Sequence, residues 1–329
     1  MTDTTDARVA FVTGATGCIG TALTERLSSL GWRVIALVRD ETRAAHLVSL
    51  PGVELLVGDL DGRERISNAV RGCDVVFHLA ARVHAPAGTS EAEFMRANVD
   101  GTRNMLDAAI SNRVRRFVFF STVAVYGEAE GVFTEATRPA PSTPYGATKL
   151  EAETLIMARA NEIEVAVLRL PIVYGLRDRG NFARLVRAIA SGRFFIPGDG
   201  RNVKSMVAVQ NAVDAALLVA HDERAKGEAY IVTDAQDYSL NEIAAAIADA
   251  LGRSTNFARL PVAAAMAIGG IADAIAGASR LRLPISTDNV RKLAASTRCS
   301  AEKIRRELGF TPKVSLRDGL AEVVRETAP

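Results

Sequence analysis

The chain has 329 residues, of which 48% are hydrophobic and 24% charged, and 40 Lys and Arg against 38 Asp and Glu leave a formal charge of +2. This composition is typical of a globular protein with a substantial core, and the small net charge argues against a nucleic-acid partner. Three separated cysteines and four scattered histidines form no disulfide or metal-ligand pattern, and residues 1–8 lack the form of a secretory signal, so we expect a cytoplasmic protein without a bound metal.

The first half of the chain alternates apolar runs of strand length with helix-like segments. The predicted strands are residues 9–13, 33–38, 53–57, 75–79, 117–121 and 165–170, and the predicted helices are residues 19–30, 94–110 and 145–160. Strands that are apolar throughout and alternate with helices are typical of a parallel sheet covered on both faces, and right-handed crossovers make such a sheet doubly wound.

Beyond Pro171 the pattern changes, because glycine and proline become frequent. Helices are predicted at residues 209–220, 240–251, 287–295 and 301–308, and one apolar strand, residues 229–232, could rejoin the sheet. Residues 262–278 are apolar but consist largely of Ala and Gly around Asp273, which favours a buried or partner-facing helix over a membrane span. The sequence therefore predicts an α/β fold with a smaller, mostly helical carboxy-terminal lobe.

A glycine-rich turn joins the first predicted strand to the first predicted helix. It contains Gly14, Gly17 and Gly20, and glycine lets the backbone turn tightly and approach a pyrophosphate held by the amides of the helix amino terminus. Because this pattern lies in the first strand-turn-helix unit of a doubly wound sheet, it predicts a dinucleotide site.

The end of the second strand bears on the choice of cofactor. Val38 occupies the terminal position where an acidic side chain would bind the ribose of NAD, and Arg39 follows it. A guanidinium there suits the extra phosphate of NADP, so NADP is predicted, with NAD as the alternative if Arg39 is only a solvated charge and Asp40 meets the ribose. Asp59, after the third strand, could contact the adenine or serve as a turn or helix cap.

Tyr145 and Lys149 lie four residues apart on a helix predicted to begin near Ser142 or Thr143. A neighbouring cation favours the phenolate, so we expect Lys149 to lower the pKa of Tyr145 toward working pH. Ser121 and Thr122 end a predicted strand at the carboxyl edge of the sheet, where a hydroxyl could bind an oxygen that becomes a carbonyl. The three features predict acid/base chemistry beside the dinucleotide.

These segments resemble the recurring motifs of the extended short-chain dehydrogenase/reductase family, the branch that includes nucleotide-sugar epimerases, dehydratases and 4-keto reductases. The resemblance rests on residues 14–20, 78–81, 98–102, 121–127, 145–149, 168–175, 198–200 and 303–310. It implies a Rossmann domain of residues 1–170 to which residues 205–235 return, and a substrate-binding lobe of residues 171–204 and 236–329.

The resemblance also implies roles for individual residues. Thr122, Tyr145 and Lys149 would be catalytic, with Lys149 also binding the nicotinamide ribose, and Asn98 would be structural as often as catalytic. The predicted cofactor contacts are Gly14, Thr16, Gly17, Cys18, Ile19, Gly20, Arg39, Asp59, Leu60, Leu79, Ala80, Ala81, Asn98, Ser121, Tyr145, Lys149, Pro171 and Val173. A homodimer through the helices at residues 94–110 and 145–160 is the family expectation.

Two departures from the family pattern restrict the predicted chemistry. Sugar-nucleotide dehydratases carry Asp-Glu after the threonine, whereas this chain has Val123 and Ala124, which removes the acid and base of water elimination. Lys204 stands where many relatives place an arginine against the substrate diphosphate, so a point charge replaces a planar fork. The predicted substrate contacts are His84, Val123, Asn181, Arg184 and Lys204.

Three functions are compatible with these residues. The preferred one is a nucleotide-sugar epimerase or 4-keto reductase with Tyr145 as acid/base. The second is a reductase or dehydrogenase of a non-sugar alcohol of the steroid or flavonoid type, which the apolar residues 262–278 would suit. The third is a non-catalytic cofactor-binding protein, which would not need an intact Thr122, Tyr145 and Lys149.

Overall fold

The computed structural model describes residues 8–83, 89–128, 131–177, 181–279 and 286–327. Its strands are β1 (Val9–Thr13), β2 (Arg33–Val38), β3 (Val53–Val57), β4 (Val75–His78), β5 (Arg116–Thr122), β6 (Val132–Phe133), β7 (Glu164–Leu170), β8 (Ile172–Tyr174), β9 (Phe195–Pro197), β10 (Val203–Lys204), β11 (Met206–Ala208), β12 (Glu228–Ile231), β13 (Tyr238–Ser239), β14 (Ala258–Leu260) and β15 (Arg298–Cys299).

The helices are α1 (Cys18–Ser29), α2 (Glu41–Val48), α3 (Arg63–Ala69), α4 (Glu91–Met95), α5 (Gly101–Ser111), α6 (Pro144–Met157), α7 (Asn181–Ala190), α8 (Val209–His221), α9 (Leu240–Ala250), α10 (Val262–Ser279), α11 (Thr287–Ala294), α12 (Glu302–Leu308) and α13 (Leu316–Thr327). A π-helical segment, Arg96–Asp100, joins α4 to α5, and short 3-10 segments lie at Val123–Tyr126 and Glu223–Ala225. Among the helices described, none is both long and apolar enough to cross a lipid bilayer.

Seven strands form a parallel sheet in the order β12-β7-β5-β4-β1-β2-β3. On one face, Ile66 of α3, Leu106 of α5 and Ile156 of α6 pack with sheet residues such as Phe11 and Phe117 in one buried cluster. Helices α1 and α8, which contact each other and the sheet, are associated with β1, β5 and β7. The prediction of a doubly wound parallel sheet is confirmed, including the strand at residues 229–232, which pairs with β7 as part of β12.

The chain divides into two compact units. The first contains residues 1–173, 209–233 and 299–313, and the second contains residues 174–208, 234–298 and 314–329. The sequence analysis placed residues 299–313 in the carboxy-terminal lobe, but in the structure they belong with the sheet. The ammonium of Lys303 explains this, because it donates to the Glu228 carboxylate at 2.6 Å and to the Ala229 carbonyl at 3.0 Å, both on β12.

The second unit is mainly helical and has its own core. Helices α7, α9 and α13 contact one another, and their buried side chains include Val186, Ile247 and Leu320. Tyr174 lies in the same cluster, and its hydroxyl donates to the Asp234 carboxylate at 2.6 Å. A single α-helix, α10, covers all of the apolar residues 262–278, but many of its described side chains are exposed and not buried.

Candidate active site

The glycine turn after β1 is built by close backbone contacts. Gly14 has a φ of +69°, in the left-handed region that favours glycine, and its carbonyl accepts a bond from the Gly17 amide at 3.0 Å. A Cβ on Gly20 would lie 2.1 Å from the Gly14 oxygen, so α1 can lie this close to the turn only with glycine at that position. Gly17 precedes α1 and offers no side-chain cap. The turn therefore fits a pyrophosphate at the amino terminus of α1.

Arg39 and Asp40 differ in how the fold uses them. Asp40 caps α2, because its Oδ1 accepts bonds from the Thr42 amide at 2.9 Å and the Thr42 hydroxyl at 2.6 Å, and these bonds lower its pKa. Arg39 is exposed at the end of β2. The Asp40 carboxylate, the alternative contact for an NAD ribose, therefore already accepts hydrogen bonds from Thr42.

Asp59 and Leu60 follow β3 with different surroundings. The Asp59 carboxylate is exposed and accepts a bond from the Leu60 amide at 2.8 Å, which is a turn-forming contact. Leu60 is buried and packs against Gly101, where a Cβ would lie 2.7 Å from its Cδ1. Contact of either residue with adenine stays a prediction.

A buried histidine, which the sequence analysis did not select, connects the glycine turn to the next strand. His78 Nδ1 lies 2.9 Å from the Thr13 hydroxyl, and His78 Nε2 lies 2.9 Å from the Thr102 hydroxyl. Thr102 donates its proton to the Asn98 carbonyl at 2.6 Å, so it must accept from Nε2–H, and Nδ1 is then the acceptor for Thr13. Burial and the charge of Lys149 lower the pKa of His78 to about 3, which agrees with a neutral ring.

Thr13 in turn organises the segment after β4. Its hydroxyl oxygen accepts bonds from the amides of Leu79 and Ala80, both at 3.1 Å. A Cβ on Gly14 would lie 2.9 Å from the Ala80 nitrogen, so this segment runs directly against the glycine turn. The predicted cofactor residues Leu79 and Ala80 are thereby brought to the turn, at the carboxyl edge of the sheet.

Asn98 lies in the π-helical segment and joins three parts of the site. Its Oδ1 accepts a bond from the Arg82 amide at 2.7 Å, and its Nδ2 donates to the Arg82 carbonyl at 3.1 Å and to the Thr148 hydroxyl at 2.9 Å. Thr148 lies on α6 between Tyr145 and Lys149. The side chain of Asn98 thus holds the segment after β4 next to the helix that carries the acid/base pair, which is a positioning role.

Helix α6 begins where the sequence indicated. Thr143 is its amino-terminal cap, with its hydroxyl accepting the Gly146 amide at 3.1 Å, and Pro144 occupies the first helical position. The Tyr145 hydroxyl lies next to the Thr122 side chain at the end of β5, and this neighbour lowers the pKa of the phenol. Lys149 is buried one turn further along, with its ammonium 3.7 Å from the centre of the Phe119 ring. The structure therefore brings Thr122, Tyr145 and Lys149 together.

The pKa values of Tyr145 and Lys149 differ from those expected from the sequence. Burial raises the pKa of Tyr145 to about 12, and the neighbouring Thr122 offsets only part of this effect. Burial lowers the pKa of Lys149 to about 7, which the negative charge of Glu153 partly opposes. The expectation that Lys149 lowers the pKa of Tyr145 is therefore wrong for this structure, because loss of hydration favours the neutral form of both groups.

A second buried network lies beneath the site. Glu153, one turn beyond Lys149 on α6, accepts a hydrogen bond from Ser121 and pairs with Arg169 of β7 at 2.6 Å. Arg169 also donates to the Tyr126 hydroxyl at 2.8 Å. Glu153 and Arg169 were not predicted from the sequence, although two signals were present: Glu153 shares the helix face of Tyr145 and Lys149, and Arg169 interrupts an apolar strand where a charge needs a partner.

The remaining predicted residues lie in different places. His84 is outside the described residues, and Val123 is buried in a cluster with Val125 and Phe133. Thr16 and Gly17 are exposed at the turn, whereas Cys18, Ile19, Ala81 and Val173 are half-buried and Pro171 is buried directly after β7. Contact of these residues with a ligand stays a prediction.

The predicted anion-binding residues belong to the second unit. Asn181 is the first residue of α7, and Arg184 is exposed on the same helix. Lys204 was expected to present its ammonium to a diphosphate, but it is buried, its Nζ donates to the Lys292 carbonyl at 2.7 Å, and burial lowers its pKa to about 8. Among the described residues, no three His, Cys, Asp or Glu side chains converge as metal ligands.

Comparison with known proteins agrees with this geometry. The model of the NAD dependent epimerase/dehydratase family matches residues 10–233. The chain is 33% identical over 326 residues to the 4-hydroxy-2-methyl-3-oxo-4-farnesyl-3,4-dihydroquinoline-1-oxide ketoreductase of Stigmatella aurantiaca, covering 97% of this chain and 96% of that protein. It is 30% identical over 268 residues to the N-acetyl-alpha-D-glucosaminyl-diphospho-ditrans,octacis-undecaprenol 4-epimerase of Escherichia coli O157:H7, covering 80% of each.

A solved structure is similar over nearly the whole chain. It is MoeE5 in complex with UDP-glucuronic acid and NAD, with 30% identity, a TM-score of 0.74, and coverage of 97% of this chain and 98% of that one. The family match spans more than half of the chain and includes the glycine turn, Thr122, Tyr145 and Lys149. The chain belongs to the NAD-dependent epimerase/dehydratase family and is an enzyme of the extended short-chain dehydrogenase/reductase type.

Proposed function

We propose that this enzyme interconverts a secondary alcohol and a ketone on a nucleotide-diphosphate sugar, as an epimerase or a 4-keto reductase, with Tyr145 as the acid/base. The observation that carries the proposal is that Tyr145 lies next to Thr122 at the carboxyl edge of the sheet, one helical turn from the buried Lys149. The similarity to MoeE5, whose structure contains UDP-glucuronic acid and NAD, supports the substrate class and the cofactor class.

The nicotinamide cofactor, when bound, accepts or returns the hydride. Gly14, Gly17 and Gly20 would hold its pyrophosphate, since a Cβ on Gly14 or Gly20 would clash with neighbouring backbone and Gly17 directly precedes the amino terminus of α1. Tyr145 exchanges a proton with the sugar oxygen, Thr122 donates a hydrogen bond to the same oxygen, and Lys149, one helical turn along α6, would bind the nicotinamide ribose. A pKa of about 12 keeps Tyr145 protonated at neutral pH, and the protonated phenol is the form that completes a reduction.

Dehydration is disfavoured among the reactions of this family. Val123 and Ala124 follow Thr122, and Val123 is buried in an apolar cluster, so neither supplies an acid or a base. Arg184 and Asn181 on α7 are our candidates for the diphosphate contacts, together with Lys204, one of whose three N–H groups is used by Lys292.

The direct test is turnover of UDP-sugars by Tyr145→Phe. We expect kcat to fall by at least about 100-fold, because the proton-transfer group is lost, while the Kd of NAD stays near the wild-type value. Tyr230→Phe is the matched control, since the Tyr230 hydroxyl contacts Arg224 and Glu307, away from α6. Equal kcat values for wild type and Tyr145→Phe would contradict the proposed role and favour a non-catalytic cofactor-binding protein.

We propose NADP as the cofactor, with NAD as the alternative named in the MoeE5 structure. Arg39 is exposed directly after β2, and a guanidinium there would suit the extra phosphate of NADP, whereas Asp40 is occupied as a helix cap. Arg39→Ala should raise the Kd of NADPH roughly tenfold, the loss of one charged hydrogen bond, and leave the Kd of NADH unchanged. Fluorescence titration with both cofactors measures this, and tighter binding of NADH by the wild type would establish the NAD alternative.

A second candidate function is reduction of a non-sugar ketone by the same residues. The relative from Stigmatella aurantiaca is a ketoreductase of a farnesylated quinoline oxide, and the apolar helix α10 would suit a hydrophobic substrate. Parallel assays with UDP-sugars and with long-chain ketones distinguish the two functions. We also propose a homodimer through residues 94–110 and 145–160, which light scattering of the purified protein tests.

A further inference from the structure

Helix α10 in the second unit carries its large apolar side chains on the outside. The exposed fractions are 42% for Val262, 42% for Ile268, 63% for Ile271 and 46% for Ile275. Ile268, Ile271 and Ile275 are spaced i, i+3 and i+7, so they form one stripe along the helix, which we call the isoleucine stripe. Isolated exposed apolar residues are ordinary, but a stripe on one helix marks an interaction surface.

The inward side of α10 is formed by small residues. Ala265 and Ala272 are buried, and Gly269 packs so closely on α11 that a Cβ there would lie 2.8 Å from the Thr287 amide nitrogen. A surface helix normally buries its large apolar side chains and exposes polar ones. In α10 the small residues face inward and pack on α11. The exposed isoleucines therefore contribute little to the core, and core packing does not explain why they are apolar.

The charges around α10 have a single predominant sign. Between residues 253 and 282 there are four arginines, at 253, 259, 280 and 282, and one acidic residue, Asp273. The Asp273 carboxylate accepts a bond from the Thr287 amide at 3.0 Å, so it serves the contact with α11. Arg253 and Arg259 are exposed ahead of the helix, and Arg259 also donates to the Asp199 carbonyl and to Asn241 Oδ1. An apolar helix face with exposed arginines ahead of its amino terminus complements anionic lipid headgroups above an acyl layer.

We propose that the isoleucine stripe docks on an anionic lipid surface, with α10 lying along the surface and Arg253 and Arg259 at the headgroups. A second copy of the chain is less suitable as the occupant. In a two-fold symmetric contact the same patch faces itself, so the arginines of one copy would meet those of the other. The proposal concerns where the enzyme works and does not depend on which alcohol it oxidises.

The test is sedimentation of the full chain with extruded vesicles of phosphatidylcholine, with and without phosphatidylglycerol. We expect binding to the anionic vesicles that weakens in high salt, as charge attraction requires. The double variant Ile268→Glu/Ile271→Glu should lower the partition coefficient by at least about tenfold, since it puts charge in place of apolar area that docking would bury. Val48→Glu is the matched control, because Val48 is 61% exposed on α2 in the first unit.

Specific outcomes would overturn the proposal. Wild-type protein that stays in the supernatant with anionic vesicles contradicts it, as does equal binding by the double variant. If light scattering shows that the double variant dissociates an oligomer while vesicle binding is absent, a second copy occupies the stripe. The milder Ile268→Ala/Ile271→Ala variant, checked by circular dichroism, covers the case in which the glutamates impair folding. Since turnover is not measured, failure here leaves the proposed reaction untouched.

Discussion

Lys149 and Tyr145 show how strongly burial acts on single residues in this protein. The pKa of the lysine is lowered to about 7 and that of the tyrosine raised to about 12, so each favours its neutral form. The charge of Lys149 at neutral pH depends on the negative charge of Glu153, one turn along α6. Glu153 in turn is held by Arg169 and Ser121, so the electrostatics of the acid/base pair rest on a second buried pair.

This dependence predicts unequal consequences for two Arg–Glu pairs of the chain. Glu153→Gln should lower the free energy of unfolding by about 3–5 kcal/mol, because it leaves the buried Arg169 without a counter-charge. Glu162→Gln, which breaks the surface pair with Arg159, should change the free energy far less, since exposed ion pairs are screened by water. Urea titration of the three proteins measures both values, and equal unfolding midpoints for the two variants would refute the prediction.

At the scale of elements, the turn between β1 and α1 is the feature that least tolerates an added side chain. The segment after β4 approaches Gly14, and α1 approaches the Gly14 carbonyl through Gly20. These contacts are all with backbone atoms, which cannot rotate away as a side chain can. The geometry that admits a pyrophosphate is therefore maintained by the absence of two side chains.

Gly20→Ala tests this requirement. The added Cβ would lie 2.1 Å from the Gly14 oxygen, so the turn must shift, and we expect the Kd of the dinucleotide to rise at least about tenfold. Gly270→Ala is the control within another helix, because its Cβ would meet only the Thr287 hydroxyl at 4.0 Å. That variant should bind cofactor normally and gain about 0.5–1 kcal/mol in stability. Calorimetric titration gives the Kd values, and an unchanged Kd for Gly20→Ala contradicts the account.

The helix predicted at residues 94–110 shows what the spacing of apolar residues cannot predict. The structure has α4, a π-helical segment and α5 over Glu91–Met95, Arg96–Asp100 and Gly101–Ser111. A π-helical turn holds an extra residue and shifts the helical phase, which is frequent at functional sites. The apolar spacing indicated a helix but not this shift, because Asn98 is held by Arg82 and Thr148, partners distant in sequence.

At the scale of the whole molecule, a titratable group buried in the first unit makes stability depend on pH. His78 has a pKa of about 3 in the folded protein, against 6.5 as its ordinary value. As pH falls below 6.5, the unfolded chain binds a proton at this ring and the folded chain does not. The folded state therefore loses stability as pH falls from 6.5 toward 3, and the loss is absent above 6.5.

Denaturant titration at pH 7 and pH 5 measures this effect. We expect His78 alone to lower the free energy of unfolding by about 2 kcal/mol between these two pH values. His78→Gln should be less stable at pH 7, because it disturbs the bonds with Thr13 and Thr102, but it should lose less stability on acidification. A His78→Gln protein with the full wild-type difference would exclude His78 as the source.

The sequence by itself determined the sheet, the glycine turn and the acid/base helix of this protein. Strands such as Val9–Thr13 and Arg33–Val38 were predicted to the residue, and Thr143 caps α6 within the predicted range. These features depend on local rules of hydrophobic spacing, glycine conformation and helix capping, which act between residues close in the chain. Family motifs added Thr122, Tyr145 and Lys149 as a set.

Only the tertiary structure decided how charges and protons are arranged around Thr122, Tyr145 and Lys149. Several properties of the site arise from groups far apart in sequence. They are the neutral tautomer of His78, the ion pair of Glu153 and Arg169, the hydrogen bond from Lys204 to a backbone carbonyl and the raised pKa of Tyr145. The tertiary structure also decided that residues 299–313 belong to the first compact unit and that the isoleucines of α10 are exposed. Burial and long-range hydrogen bonds set these properties, and neither is visible until the chain has folded.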